Sequence, residues 1–513
     1  MELSIEQECA LQQYEDGDNL FITGEGGTGK TTLIQHLITS AYRRKKRLQI
    51  CAMTGCAALL LNCGAKTIHS WSGIRLAKGS MENVVHSVIY SKRAVQNWKA
   101  LDILVIDEVS MMSKRIFDIL NEIGKRTRRN SKPFGGIQVI FCGDFYQLPP
   151  VCGSEEAESE LFCFESKEWY ETFPYDNHIV LNTIFRQTDV KYKEILSGIR
   201  KGNIQKEGME LLRSRVNCPF DLEKHNGCVP TKLYPTRSKV DYVNKTMFDK
   251  LEGQSYEYDF ISKSNCRYNL ETNVAIPLFE LQKCRKLLDE TKITNETNTL
   301  INSSPCVRTL QLKKGTNVMC TVNLDMENGI CNGSTGVVID FVVHSGIPFP
   351  IVQFSNGLKR EIQMKYWQSE EYPVVAIGQL PLCHAWAMTI HKIQGATLSM
   401  AEMDIGNGIF ECGQTYVALS RVKSLDGLYL TSFDPSKIRI NPKVKEFYEQ
   451  IPEVEYESVD ESVNESAVAE SVNESAVAES ETSDLKTVSI NQELSFESYA
   501  YSDDSTTVKK VSL

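Results

Sequence analysis

The sequence predicts an α/β protein of two parallel-sheet domains, with a small β-barrel inserted in the second and an acidic tail that has no core of its own. Three observations carry this. From Leu20 to about Val180 short apolar strands alternate with helical stretches, the pattern of a parallel sheet whose function lies at the carboxyl ends of its strands. A second strand-helix segment starts at Lys232-Leu233-Tyr234-Pro235-Thr236, continues as a helix through Val240–Phe248, and resumes from Val374–Ala387 to about Tyr448. Between them, residues 263–365 hold short strands at Val318-Met319-Cys320, Gly336-Val337-Val338-Ile339 and Ile351-Val352-Gln353-Phe354. Asn-Gly turns at 328–329, 332–333 and 356–357 separate these strands, as in antiparallel hairpins.

The first strand, Leu20-Phe21-Ile22, leads into Gly24-Glu25-Gly26-Gly27-Thr28-Gly29-Lys30-Thr31, and Leu33, Ile34, Leu37 and Ile38 give the next helix one apolar face. Strand, glycine loop and helix form a phosphate-binding loop. Its glycines let backbone N–H groups turn toward phosphate oxygens at the positive end of a helix dipole. Lys30 is placed to reach the β- and γ-phosphates, and Thr31 to hold Mg²⁺. Further strands are expected at Leu48–Ala52, Ile103–Ile106, Val139–Cys142 and Ile179–Leu181. The strand through Ile106 ends in Asp107-Glu108, where Asp107 suits contact with Mg²⁺ through water and Glu108 suits activation of the attacking water. The alternative is an ordinary strand end with a solvated acidic pair. The loop upstream favours chemistry, so the chain reads as an enzyme that consumes a nucleoside triphosphate.

With 513 residues, 42% of them apolar, the chain accommodates two to four domains. Its amino terminus lacks the basic and apolar regions of a signal peptide and the arginines of a mitochondrial presequence, and no apolar run reaches membrane-spanning length. Sixteen cysteines include no C-x-x-C pair. They read as reduced, mostly buried thiols of a nuclear or cytoplasmic protein, and a zinc site is not expected. The net charge of −10 is uneven. Residues 451–513 hold 15 Asp/Glu and 3 Lys, leaving 53 basic and 51 acidic residues in 1–450. A near-neutral body leaves room for local basic patches. In the tail, Ser462–Glu470 and Ser471–Glu479 repeat the same nine residues, SVNESAVAE. Such composition cannot repay the entropy of ordering, so the tail is expected to be disordered and free to bind protein partners.

Further segments complete a pattern. Asp107-Glu108-Val109-Ser110-Met111 resembles motif II of superfamily 1 helicases of the Pif1 and RecD group. Phe134-Gly135-Gly136-Ile137-Gln138, leading to Gly143-Asp144-Phe145-Tyr146-Gln147-Leu148-Pro149-Pro150-Val151, is similar to the Pif1 family's motif III and its approach. The likeness extends to Thr54-Gly55-Cys56-Ala57-Ala58, Thr67-Ile68-His69-Ser70, Ile184-Phe185-Arg186-Gln187, Thr389-Ile390-His391-Lys392-Ile393-Gln394-Gly395-Ala396-Thr397 and Tyr416-Val417-Ala418-Leu419-Ser420-Arg421. Leu3-Ser4-Ile5-Glu6-Gln7 stands where the family has its adenine-reading glutamine. The resemblance covers about 3–433.

It implies two RecA-like domains that sandwich Mg·ATP. The first would span 1–190, with 72–100 as a small wedge. The second would comprise 191–262 and 366–450, interrupted by an SH3-like barrel at 263–365. It also implies a DNA helicase that moves 5′ to 3′ on single strands, opens tailed or forked duplex, and serves replication, repair, recombination or telomere maintenance as a monomer. The short stretch before the first motif suits a compact viral or eukaryotic form. Gln7 would read adenine, Gln147 would sense the γ-phosphate, and Arg186 and Arg421, from opposite sides of the cleft, would neutralise the transferring phosphoryl. Thr67, His69, Thr389 and His391 would face single-stranded DNA through phosphate contacts that carry no sequence information; such a residue, taken alone, is more often a structural hydrogen-bonding one. The basic runs Lys125–Arg129 and Arg43–Arg47 stay open between a nucleic-acid or import role and solvated helix ends. A protein-remodelling ATPase, an RNA helicase and a non-enzymatic adaptor are the competing functions.

Overall fold

The computed structural model describes residues 3–452 apart from 62, 76, 151–157, 221–228, 271, 326–327, 331, 370–371 and 399. The repeat-bearing tail from 453 onward and Val151 of the motif III segment lie outside the described residues.

The first sheet grows from central strands buried on both faces. β1 (Leu20–Gly24), β2 (Leu48–Ala52), β3 (Lys66–Thr67), β4 (Ile103–Asp107), β5 (Gln138–Gly143) and β6 (His178–Leu181) pair in parallel in the order β3-β2-β4-β5-β1-β6. Alternate residues feed two cores, as a parallel sheet covered on both faces requires. Leu20, Ile22, Ile103, Val105, Ile140 and Cys142 pack with Leu33, Ile34 and Leu37 on one side. Phe21, Leu104, Ile106, Val139 and Phe141 pack with Phe117, Leu120 and Trp169 on the other. The order sets the carboxyl ends of β4, β5 and β1 side by side, so the glycine loop, Asp107-Glu108 and the Gly143–Pro150 segment share one edge of the sheet.

Residues 72–100, expected as a separate wedge, are instead part of this second core. The helices Met81–Ile89 and Lys92–Ala100 contribute Val84, Val85, Val88, Ala94 and Trp98 to it. Trp98 lies 5.0 Å from Trp71 and donates its indole N–H to Ser72 O at 3.1 Å. These five apolar side chains are buried in the first domain's own core, which leaves no independent core for a separate domain.

The second parallel sheet has the order Ala387–Thr389, Thr231–Tyr234, Ala401–Ile405, Leu428–Phe433. The antiparallel part between its segments is wider than 263–365. A five-stranded sheet runs from Lys359–Glu361 through Ile347–Phe354, Thr335–His344 and Asn317–Cys320 to Leu382–His384. The pair formed by Tyr256–Asp259 and Thr309–Leu312 closes over it, with Tyr258, Leu310, Val318, Val338, Val352 and Leu382 in a common core. The last helix, Pro442–Glu449, falls in the 366–450 stretch expected to belong to the second domain, yet it packs on the first. Its Phe447 stacks on Phe164 at 4.3 Å and meets Phe21 and Phe145 edge-on.

Candidate active site

The loop after β1 is shaped by close approaches that only glycine permits. Gly27 (φ +99°) and Gly29 (φ +79°) have left-handed backbones, and a Cβ there would lie 2.5 Å from Arg186 Cβ and from Gln7 Nε2, respectively. Lys30 opens α2 (Lys30–Arg43) and donates to Gly24 O at 2.8 Å and Glu25 O at 2.9 Å. Its depth in the cleft lowers its pKa, an effect opposed by the charges of Asp144, Glu108 and Asp107. Thr31, on the first turn of α2, is exposed. Gln7 is buried with its amide fully engaged: Nε2 donates to Thr28 O (3.2 Å) and Gly29 O (3.4 Å), and Oε1 accepts from Ser4 N (3.0 Å). Gln7 thereby clamps the loop to α1 (Ile5–Asp16).

Asp107 is buried, and its carboxyl is pushed up to about 7, first by burial and next by the charge of Glu108. Glu108 N donates to Asp107 Oδ1 at 2.9 Å, and Glu108 itself adopts φ +56°, a conformation uncommon outside glycine. Its carboxylate is met from the second domain, where Gln394 Nε2 donates to Glu108 Oε2 at 3.0 Å and to Ser110 Oγ at 3.3 Å.

The arginines converge on the loop, Arg186 from the end of the first domain and Arg421 from the second. Arg186 Nη1 donates to Ser420 O at 3.3 Å and Arg421 Nη2 to Ser420 Oγ at 2.8 Å. Arg186 leans over Gly27, and Arg421 Nη2 lies 3.6 Å from the position of a Cβ on Gly26. Burial lowers both, and the neighbouring Arg186 adds to the fall of Arg421 to about 10. Arg421 therefore stays charged at neutral pH. Gln147 is buried at the domain junction, its Oε1 unpartnered among the described residues. The next residue, Leu148, is plugged into the second domain's core beside Tyr192, Tyr416 and Val417. A movement of that domain must therefore pull on Gln147.

Thr67 and Thr389 occupy matching places. Each ends a strand at a sheet edge, caps a short helical turn with its side chain (from Ser70 N and Lys392 N, both 3.3 Å), and is followed by a fully buried isoleucine and then a histidine. Burial lowers the pKa of His69 and of His391, so both imidazoles are neutral at physiological pH. Part of each basic run is engaged within the fold. Lys125 pairs with Glu168 (2.5 Å), Arg126 with Glu122 (2.5 Å) and Glu82 (2.6 Å), and Arg128 donates to the carbonyls of Trp98, Leu101 and Gly135. Arg44 donates to Tyr14 O, and Arg47 faces Asp102 at 3.6 Å.

Sequence reasoning missed three contributors. Tyr416 hydroxyl accepts from Gly26 N at 2.8 Å. Arg200 forks onto Asp144 at 2.9 and 3.0 Å, its guanidinium lying over the rings of Tyr146 and Tyr448. Gln394 reaches Glu108. Tyr416 and Gln394 stand inside recognised motifs, but their partners are some 390 and 286 residues away. Spacing alone carries no signal at such separations.

A phosphate loop, a buried carboxylate pair on the adjacent strand, and side chains of a second parallel-sheet domain reaching the same cleft define a P-loop nucleoside triphosphatase of the two-domain motor class. Residues 2–209 match the PIF1-like helicase family, and 297–341 match the 2B domain of DNA helicase Pif1. The chain is 33% identical over 455 residues to the ATP-dependent DNA helicase PIF1 of Xenopus laevis, an alignment spanning 88% of this chain and 64% of that relative. The crystal structure of Pif1 helicase from Candida albicans is 34% identical and superposes with a TM-score of 0.70, over 88% of this chain and 100% of the other. A Pif1 helicase from Bacteroides in complex with ADP-AlF3 and ssDNA is 25% identical with a TM-score of 0.60, over 88% and 97%. The chain belongs to the Pif1-like helicase family, and its two parallel-sheet domains are RecA-like.

Proposed function

We propose that the protein is an ATP-dependent DNA helicase that moves 5′ to 3′ along single-stranded DNA and opens tailed or forked duplex. The observation that carries this is a cleft whose catalytic carboxylate belongs to one RecA-like domain and is hydrogen-bonded by the other, with a Thr-Ile-His turn on each domain. ATP binding draws Arg186 and Arg421 onto the phosphates while Lys30 turns from the loop carbonyls toward them. Glu108 orients water and takes its proton. Closing and opening shift one Thr-Ile-His turn relative to the other, and a strand held through its phosphates moves with them. Each base-pair step opened opposes about 1.4 kcal/mol of stacking. The relative that holds ADP-AlF3 and single-stranded DNA supports both ligands.

Thr31 and Asp107 fit Mg²⁺. They offer oxygen only, and no group of three or more His, Cys, Asp or Glu that could hold a metal occurs among the described residues. That donor set suits an ion sharing its shell with phosphates and water. When bound, Mg²⁺ supplies neutralisation of phosphate charge. Both halves of the cleft come from one chain, so a monomer suffices. Twelve of the sixteen cysteines are seen as free thiols, which suits a reducing compartment, nucleus or cytoplasm. Roles in replication, repair, recombination or telomere maintenance follow from the family.

Strand displacement on 5′- and 3′-tailed duplexes, with ATPase measured with and without single-stranded DNA, tests the proposal. Displacement of the 5′-tailed substrate and stimulation by the strand are expected. Lys30→Ala should abolish turnover, and Glu108→Gln should bind nucleotide but turn over orders of magnitude more slowly, because an amide takes no proton. An ATPase indifferent to nucleic acid would point to protein remodelling.

A further inference from the structure

The catalytic carboxylate is held from the second domain by a side chain that is itself under-satisfied. Gln394 is 5% exposed. Because a carboxylate only accepts, the amide nitrogen must be the atom facing Glu108 Oε2 at 3.0 Å. That fixes Oε1 on the other side, where it has no hydrogen-bond partner among the described residues. The adjoining Gly395 (φ +82°) brings backbone against the second carboxylate oxygen: a Cβ there would lie 3.4 Å from Glu108 Oε1 and 3.1 Å from Leu60 Cδ1. One corner of the second domain thus faces both oxygens of Glu108.

This corner directly continues the Thr389–His391 turn. Thr389 caps the 3₁₀ turn Ile390–Ile393 by accepting from Lys392 N, and Ile390 and Ile393 are buried, so the turn moves as one piece with Gln394 at its end. A buried amide with an empty acceptor is a costly arrangement, and a small rotation that changes its partners is correspondingly favoured.

We propose that Gln394 is a positioning residue that links occupancy of the Thr389–His391 turn to Glu108. In the conformation seen here its N–H restrains the carboxylate that must accept a proton from water. When a strand seats on the turn, Gln394 shifts and frees that carboxylate. The inference rests on the reading of 389–391 as a strand-facing segment, and it makes stimulation of ATPase by DNA a matter of the six residues from Thr389 to Gln394.

The test compares steady-state ATPase of the full chain with and without a single-stranded oligonucleotide for wild type, Gln394→Met, which keeps the volume and cannot donate, and Gln394→Glu, which places a second carboxylate beside Glu108. Thermal midpoints identify any variant that fails to fold. Both substitutions should raise DNA-free kcat, roughly tenfold for one lost hydrogen bond to a charged group, shrink the stimulation ratio by the same factor, and leave KM for ATP within about twofold. A merely structural role would lower both rates together, and that result overturns the proposal. So does an unchanged ratio in folded variants. A wild-type ATPase that DNA does not stimulate overturns the strand-facing reading first, and this inference with it.

Discussion

Arg421 shows how much a single side chain depends on its surroundings. It is 1% exposed, its Nε donates to Val417 O at 2.9 Å, and its guanidinium shares Ser420 with Arg186. Two like charges are held together at considerable cost, and burial and mutual repulsion lower its pKa to about 10. An anion of growing charge in the cleft relieves that repulsion most in the transition state. Arg421→Ala is therefore expected to lower kcat by roughly a thousandfold, with a much smaller change in KM. A raised KM at unchanged kcat would place Arg421 outside the reacting shell. Gln7 joins two elements through one amide: its Oε1 completes the capping box of α1 while its Nε2 holds the carbonyls of Thr28 and Gly29.

Elements far apart in sequence hold the first domain together. The helix Pro442–Glu449 inserts Phe447 among Phe21, Phe145, Phe164 and Trp169. Its Tyr448 hydroxyl contacts Thr23 Oγ1 at 2.6 Å and accepts from Phe145 N at 3.1 Å. Phe447→Ala should cost roughly 3–4 kcal/mol in denaturant unfolding, and a cost below about 1 kcal/mol would mean that this helix contributes little to the core. Nearby, Trp169 Nε1 donates to His178 Nε2 at 3.1 Å, and His178 Nδ1 donates to Pro174 O at 2.9 Å. These two bonds require the neutral ring, and burial lowers its pKa. In the unfolded chain the imidazole takes up a proton near its ordinary value of about 6.5, while the folded site resists. Stability is therefore full above that pH and falls as pH drops below it. His178→Asn should flatten the slope of unfolding free energy between pH 7.5 and 5.5 (roughly the range about the unperturbed value); an unaltered slope would assign the pH dependence to other groups.

For the molecule as a whole, charge is segregated. Residues 451–513 carry a net −12 against +2 for the rest, and all but the first two of them lie outside the described residues. A strand-binding body attracts phosphate by counterion release, and a tethered polyanion competes for the same cations. Truncation after Gln450 should tighten binding of a single-stranded oligonucleotide at low salt. The difference should fade as salt rises, with the DNA-saturated ATPase maximum unchanged. Equal affinities across a salt series would leave the tail as a solubilising or partner-binding segment. The acidic context of Ser462 and Ser471, each with Glu three residues on, would strengthen the competition once phosphorylated.

What the sequence determined by itself is local. The glycine loop, the all-apolar strand ending in Asp107-Glu108, and the twin Thr-Ile-His segments were legible because each is fixed by neighbours within a few residues: a turn that needs glycine, a strand buried on both faces, a threonine that caps its own turn. The alternation of strands and helices likewise announced two parallel sheets. What only the tertiary structure decided is which side chains meet across the cleft. Gln394 on Glu108, Tyr416 on Gly26, and both arginines gathered on Ser420 depend on how two domains dock. Tertiary packing also decided that 72–100 joins a core, that the antiparallel strands extend to Tyr256 and His384, and that the last helix returns to the first domain. In each case the apolar pattern is that of any amphipathic segment, and the choice of partner surface is a property of the folded whole.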